Sequence, residues 1–257
     1  MSTLRKTFAM ALMVAMGGTM AHAETKPAAK DIVIVHGALV DASGWRAVHD
    51  ILSKDGFHVT IVQEPLTSLT EDIEATKRAI DQQEGPVVLV GHSYAGSVIT
   101  DAGADPKVSA LVYVAALQPD AGEASGQLLS KFAAPNDAMR KATNRATPEK
   151  YFFIPVARFH ETYAADLSAA DAQFLADSQQ QLAEKALGAT VSVAAWRSKP
   201  NYAILTTQDH VISPELQRWM YQRSGAKVTE VAASHAVFAS QPAAVVRVIE
   251  AAAKQAD

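Results

Sequence analysis

The sequence predicts an α/β fold: a mostly parallel, doubly wound sheet with a helical lid inserted between two strands. Short apolar runs rich in Val and Ile recur along the chain, helical stretches separate them, and the alternation breaks once, at about residues 119–199. Runs that are mostly apolar on both faces suit strands covered by helices on both sides, which is the environment of a parallel sheet.

The elements follow in order. "DIVIVHG" (31–37) is the first strand run, and a helix is expected from Trp45 to Lys54. "FHVTIVQ" (57–63), a helix over Leu69 to Gln82, "PVVLVGHS" (86–93), a helix over Tyr94 to Ala102 and "VSALVYVAAL" (108–117) continue the alternation. After the break come "NYAILTT" (201–207), a helix from Pro214 to Ser224, "AKVTEVAA" (226–233) and a helix from Pro242 to Lys254. Both late helices open on proline, whose fixed φ and missing N–H suit the first helical turn.

The interruption between Pro119 and Lys199 shows no convincing strand. It holds helical pieces such as Ser168 to Leu187 and the aromatic cluster "YFFIPVARFHETY". An insertion there is expected to form a helical lid over the C-terminal edge of the sheet, where ligands of such folds sit.

The N-terminus is set apart from the fold. Arg5 and Lys6 precede an apolar run from Phe8 to Met16, and Ala21-His22-Ala23 has the A-x-A form of a cleavage site. Residues 1–23 therefore read as a secretory signal cleaved after Ala23, leaving one domain over 24–257 in the periplasm or outside the cell. The run falls short of the roughly 18–20 apolar residues that span a bilayer, so no stable membrane anchor is expected after cleavage. Removing Arg5 and Lys6 leaves 21 basic against 27 acidic side chains and moves the formal charge from -4 to -6. With no basic stripe, nucleic acid is an unsuitable partner and a small, mostly neutral ligand fits better. The chain has no cysteine, so disulfides, thiol catalysis and thiolate metal sites are excluded.

The chemistry centres on "GHSYAG" (91–96), which follows an apolar strand and opens a helix. This is the form of a nucleophile elbow, with Ala95 where glycine is usual; small residues two before and two after Ser93 let a sharp turn expose the hydroxyl. A serine hydroxyl is a weak nucleophile and needs a base, a group orienting that base, and donors for the developing oxyanion. The histidines are His22, His36, His49, His58, His92, His160, His210 and His235. His235, in "AASHAVFASQP" after the last strand, lies where a side chain overhangs the sheet's C-terminal edge. Asp209 in "LTTQDHVISPE", one strand earlier, is the favoured acid, and Asp120 in "ALQPD" is its competitor. The backbone amide of Tyr94, after the nucleophile, is one expected oxyanion donor, and the loop after the first strand, "VHGALVDASGW", provides Gly37 and Ala38 for the other. Phe152, Phe153, Phe159, Tyr163 and Phe174 could line an apolar pocket in the lid or simply pack it against the sheet.

Together "VHGA", "VGHSYAG", "TQDHVISPELQRWM" and "ASHAVFASQP" resemble the α/β-hydrolase superfamily, from about Asp31 to the C-terminus. More narrowly, the motifs resemble the branch of plant methylesterases, hydroxynitrile lyases and bacterial pyrethroid-hydrolase-like esterases. The resemblance implies a Ser93, Asp209, His235 triad, an oxyanion hole from Ala38 and Tyr94, no cofactor or metal, and hydrolysis of a small-molecule ester. Lyases of the branch carry threonine and lysine where this chain has Gly37 and Ala236, leaving no cation for a departing cyanide. A ligand receptor on the same scaffold is the rival reading from another class.

Overall fold

A computed structural model describes residues 29–132, 144–145 and 150–254; the predicted signal sequence lies outside the described residues. Its central sheet has six parallel strands in the order β2-β1-β3-β4-β8-β9. These are β1 (Asp31–Val35), β2 (His58–Val62), β3 (Val87–His92), β4 (Val108–Val114), β8 (Asn201–Thr206) and β9 (Lys227–Val231).

β1, β3 and β8 are buried throughout and β4 nearly so, as expected of strands packed on both faces. The edge strands differ: Lys227–Glu230 of β9 are exposed and β2 is partly exposed, because a strand at the edge has a neighbour on one side only. Chain order reverses between β1 and β3, so the loops leaving their C-terminal ends splay apart and open a crevice. His36–Leu39 and Ser93 lie on those two loops.

Helices α1 (Arg46–Lys54), α2 (Leu69–Asp81) and α3 (Ala95–Ala102) precede the insertion. Within it, or bordering it, lie α4 (Ser125–Lys131), α5 (Val156–Tyr163), α6 (Ala169–Asp177) and α7 (Glu184–Gly188). α8 (Pro214–Ser224), α9 (Val237–Ser240) and α10 (Pro242–Lys254) complete the described set. Helix starts follow local chemistry: Ser68, Ser168 and Ser213 each accept a first-turn main-chain N–H, and Pro214 occupies the first turn of α8. α1 packs against α10 and α2 against α3.

The insertion departs from a purely helical lid. Asn144–Arg145, Tyr151–Phe153 and Leu182–Ala183 form a small antiparallel sheet, β5-β6-β7. The helix expected from Ser168 to Leu187 is therefore interrupted: α6 stops at Asp177, β7 pairs Leu182 with Phe152, and α7 follows.

Candidate active site

The turn from β3 to α3 places Ser93 in a left-handed backbone conformation, φ 55°, which a non-glycine residue adopts only when its surroundings impose it. They do so here. A Cβ at Gly91 would lie 2.8 Å from the Ala95 carbonyl oxygen, and one at Gly96 would lie 1.9 Å from that of Leu117. The helix start is thus pressed onto the sheet, and Ser93 is left at the crest of the turn.

Ser93 Oγ lies 2.7 Å from His235 Nε2, and His235 Nδ1 lies 2.8 Å from Asp209 Oδ2. A carboxylate only accepts, so Nδ1 carries the ring proton and Nε2 is free to accept from the serine hydroxyl. Asp209 is fully buried and fully bonded. Its Oδ1 accepts the Val211 and Ile212 amides at 2.7 and 2.9 Å; its Oδ2 accepts Thr206 Oγ1 at 2.8 Å and Gln217 Nε2 at 2.9 Å besides the imidazole. The competitor Asp120 is instead gripped by Arg197, whose hydrogen bonds hold its carboxyl below the usual range. His210 and His160 bond to main-chain carbonyls at Glu161 and Leu167.

His92 donates from Nε2 to the His235 carbonyl at 3.0 Å and packs its ring 4.7 Å from that of His235. Burial pushes it well below the ordinary histidine range, so an uncharged ring backs the imidazole.

The amides of Ala38 and Tyr94 have no protein acceptor among the described residues, and both residues line the cavity above Ser93. Their directions follow from peptide planarity. In a trans peptide the N–H points opposite the C=O of the preceding residue. The Ser93 carbonyl is pinned by the Gly96 and Leu117 amides at 3.1 and 3.0 Å, which turns the Tyr94 N–H away from them.

The cavity has a volume of about 210 Å³ and is lined by Ala38, Leu39, Ser93, Tyr94, Leu117, Leu129, Phe152, Tyr163, Leu182, Leu187, Val211 and Ile212. Its wall combines strand-end loops with residues of the insertion. The two tyrosine hydroxyls are engaged, Tyr94 with Asp72 Oδ2 at 2.8 Å and Tyr163 with the Ala38 carbonyl at 3.1 Å, which leaves an apolar wall around the serine.

Of the five aromatic candidates, Phe152 and Tyr163 line this cavity. Phe159 does not: it is buried behind, stacked on Tyr163 at 4.9 Å. Phe174 is 56% exposed, because α6 turns Ala172, Leu175 and Ala176 inward instead, and Phe153 alternates with Phe152 along β6 and is absent from the wall.

Several contributors have no sequence motif. Thr206 and Gln217 hold Asp209; Tyr163 meets the His235 ring edge-on at 4.7 Å; Ser234 is tied to Asp166. No cluster of three or more His, Asp or Glu side chains placed to hold a metal ion occurs among the described residues.

Comparison with known proteins bears on the fold and the family. The family described as "Alpha/beta hydrolase family" matches residues 32–248. Methylesterase 8 of Arabidopsis thaliana is 26% identical over 209 residues, 73% of this chain and 75% of that protein. A solved pyrethroid hydrolase from Sphingobium faniae JZ-2 superposes with a TM-score of 0.74 at 18% identity, over 88% of this chain and 98% of that one. Polyneuridine aldehyde esterase superposes at 0.73 and 21% identity, over 86% and 98%. The six-stranded parallel sheet, the elbow at Ser93 and the family match over most of the chain together place this protein in the alpha/beta hydrolase family.

Proposed function

We propose that this protein is an exported serine esterase that cleaves small to medium hydrophobic carboxylic esters through an acyl-enzyme. The observation that carries the reading is the continuous hydrogen-bonded chain Ser93–His235–Asp209 opening on an apolar cavity beside two unpaired amides. Its similarity to a methylesterase supports the same chemistry, and the signal-like residues 1–23 support action in the periplasm or outside the cell.

Ser93 Oγ attacks the ester carbonyl carbon while its proton passes to His235 Nε2. Asp209 stabilises the imidazolium and keeps its ring oriented. The charge developing on the carbonyl oxygen is met by the Ala38 and Tyr94 amides, each worth about 3–4 kcal/mol in sites of this type. Collapse expels the alcohol, which takes the proton from His235. Water, deprotonated by His235, then releases the acid and regenerates Ser93.

Among the described residues the wall offers an ionised substrate group no partner, so moving a carboxylate into it forfeits hydration. An aryl butanoate and the corresponding aryl hemisuccinate, assayed side by side, test the reading. The neutral ester is expected to turn over with kcat/KM at least about 100-fold above its anionic analogue. Ser93→Ala is expected to cost about four orders of magnitude or more. Near-native hydrolysis by Ser93→Ala would overturn the mechanism; equal turnover of both esters would overturn the substrate class.

A further inference from the structure

We propose that His36 is a positioning residue for the oxyanion site, aiming the Ala38 amide through an Nδ1–H tautomer that the main-chain amide of Glu64 imposes. The proposal rests on the esterase reading, in which that amide meets the developing charge. His36 is fully buried at the end of β1 and takes no part in the Ser93–His235–Asp209 chain.

Its two ring nitrogens have different partners. The Glu64 N–H reaches Nε2 at 3.1 Å and, as an N–H, can only donate. Nε2 is therefore the unprotonated nitrogen and Nδ1 bears the proton, which it donates to the Gly37 carbonyl at 2.9 Å. Burial lowers the basicity of the ring, which keeps it neutral and the tautomer defined. The Gly37 carbonyl and the Ala38 N–H belong to one planar trans peptide, so fixing the oxygen on one side fixes the N–H direction on the other.

The loop needs such a hold. Leu39 has φ 65°, a conformation that non-glycine residues rarely adopt unaided. The loop also runs against the nucleophile: a Cβ at Gly37 would stand 2.8 Å from Ser93 Cβ and 2.5 Å from His92 Nδ1. Tyr163 and Gln180 hold the next peptide, through the Ala38 carbonyl at 3.1 Å and the Leu39 amide at 3.2 Å. Gln180 Nε2 also donates to the Glu64 carbonyl at 2.8 Å, closing a circuit of hydrogen bonds that runs from His36 round the loop and back.

Two substitutions divide the roles of the ring. In His36→Asn the side-chain nitrogen falls near the place of Nδ1, keeping the bond to Gly37 and abandoning Glu64. In His36→Gln the side-chain oxygen falls near the place of Nε2, keeping Glu64 and abandoning Gly37. Each leaves one buried main-chain group unpaired, so a similar fall in Tm is expected from both. In kcat they diverge. His36→Gln is expected to lose about 10- to 100-fold with KM within about twofold, and His36→Asn to stay within about threefold of wild type, since a displaced oxyanion donor affects the transition state. Equal losses in kcat, or losses that track Tm, would overturn the proposal.

Nitrogen-15 NMR of the wild-type imidazoles gives a second measurement that needs neither variant nor activity. Protonated Nδ1 with unprotonated Nε2 at His36 is expected; the opposite tautomer or a charged ring would overturn the proposal. A wild-type protein inert towards every ester would instead count against the esterase reading.

Discussion

Replacing Asp209 with asparagine exchanges one oxygen for an NH2 group, and the structure dictates where that group must go. Oδ1 accepts the amides of Val211 and Ile212 at 2.7 and 2.9 Å, two main-chain donors that cannot reorient. The asparagine oxygen has to stay there, so the NH2 takes the place of Oδ2, facing His235 Nδ1. A donor there demands an acceptor, and the imidazole answers by moving its proton to Nε2, 2.7 Å from Ser93 Oγ. In that tautomer it cannot take the serine proton. The same exchange in a triad of this kind lowers kcat by about 10⁴, or about 5.5 kcal/mol of transition-state stabilisation. Thr206 Oγ1 can turn to accept, whereas the Gln217 NH2 at 2.9 Å is left facing another donor, a stability cost of about 1–3 kcal/mol. Steady-state hydrolysis of an aryl butanoate, with Tm measured in parallel, is the assay. A folded Asp209→Asn variant retaining more than about a tenth of wild-type kcat would refute the reasoning, since only the tautomer argument predicts so large a loss.

Three further predictions concern other parts of the site. Asp120→Asn is expected to keep kcat within about twofold and lose at most about 1 kcal/mol of stability, because Asp120 is engaged with Arg197 near the surface; a loss comparable to that of Asp209→Asn would assign the acid's role to Asp120. Ala95→Gly, which restores the usual small residue of the elbow, is expected to keep activity and lose about 0.5–1 kcal/mol of stability, as glycine weakens the start of α3; a large gain in kcat would mean the Ala95 methyl strains the turn. Burial pushes the Asp72 carboxyl up to about 6. The folded protein then holds that proton more tightly than the unfolded chain, so the stabilisation is complete below about pH 4 and lost as pH rises through about 6, amounting to about 3 kcal/mol. Asp72→Asn keeps an oxygen for the Leu66 amide and is expected to remove that slope in urea unfolding between pH 4 and 7; parallel slopes for variant and wild type would contradict the assignment.

The central sheet was legible because its inner strands are apolar on both faces and end at local signals. Pro214 and Pro242 mark helix starts where the structure has them, and the strand runs agree with the observed bounds to within a few residues. The cap was not legible in the same way. Its strands are two or three residues long, too short for an alternating pattern, and β7 exists because Leu182 meets Phe152, a pairing that no local sequence feature announces. The placement of Ser93, Asp209 and His235 near strand ends could be read from turn chemistry and chain order. The groups that hold them could not: Gln217 reaches Asp209 from a helix face, and Tyr163 reaches Ala38 across 125 positions of sequence. Aromatic residues carried least information, since residue type alone cannot distinguish Phe152 on the cavity wall from Phe174 in solvent.

The most direct test of Ser93 as nucleophile is covalent labelling with a fluorophosphonate, followed by intact mass and peptide mapping. One adduct per chain is expected on Ser93, absent in Ser93→Ala and strongly slowed in His235→Ala. An adduct on another residue, or undiminished labelling of Ser93→Ala, would contradict the account.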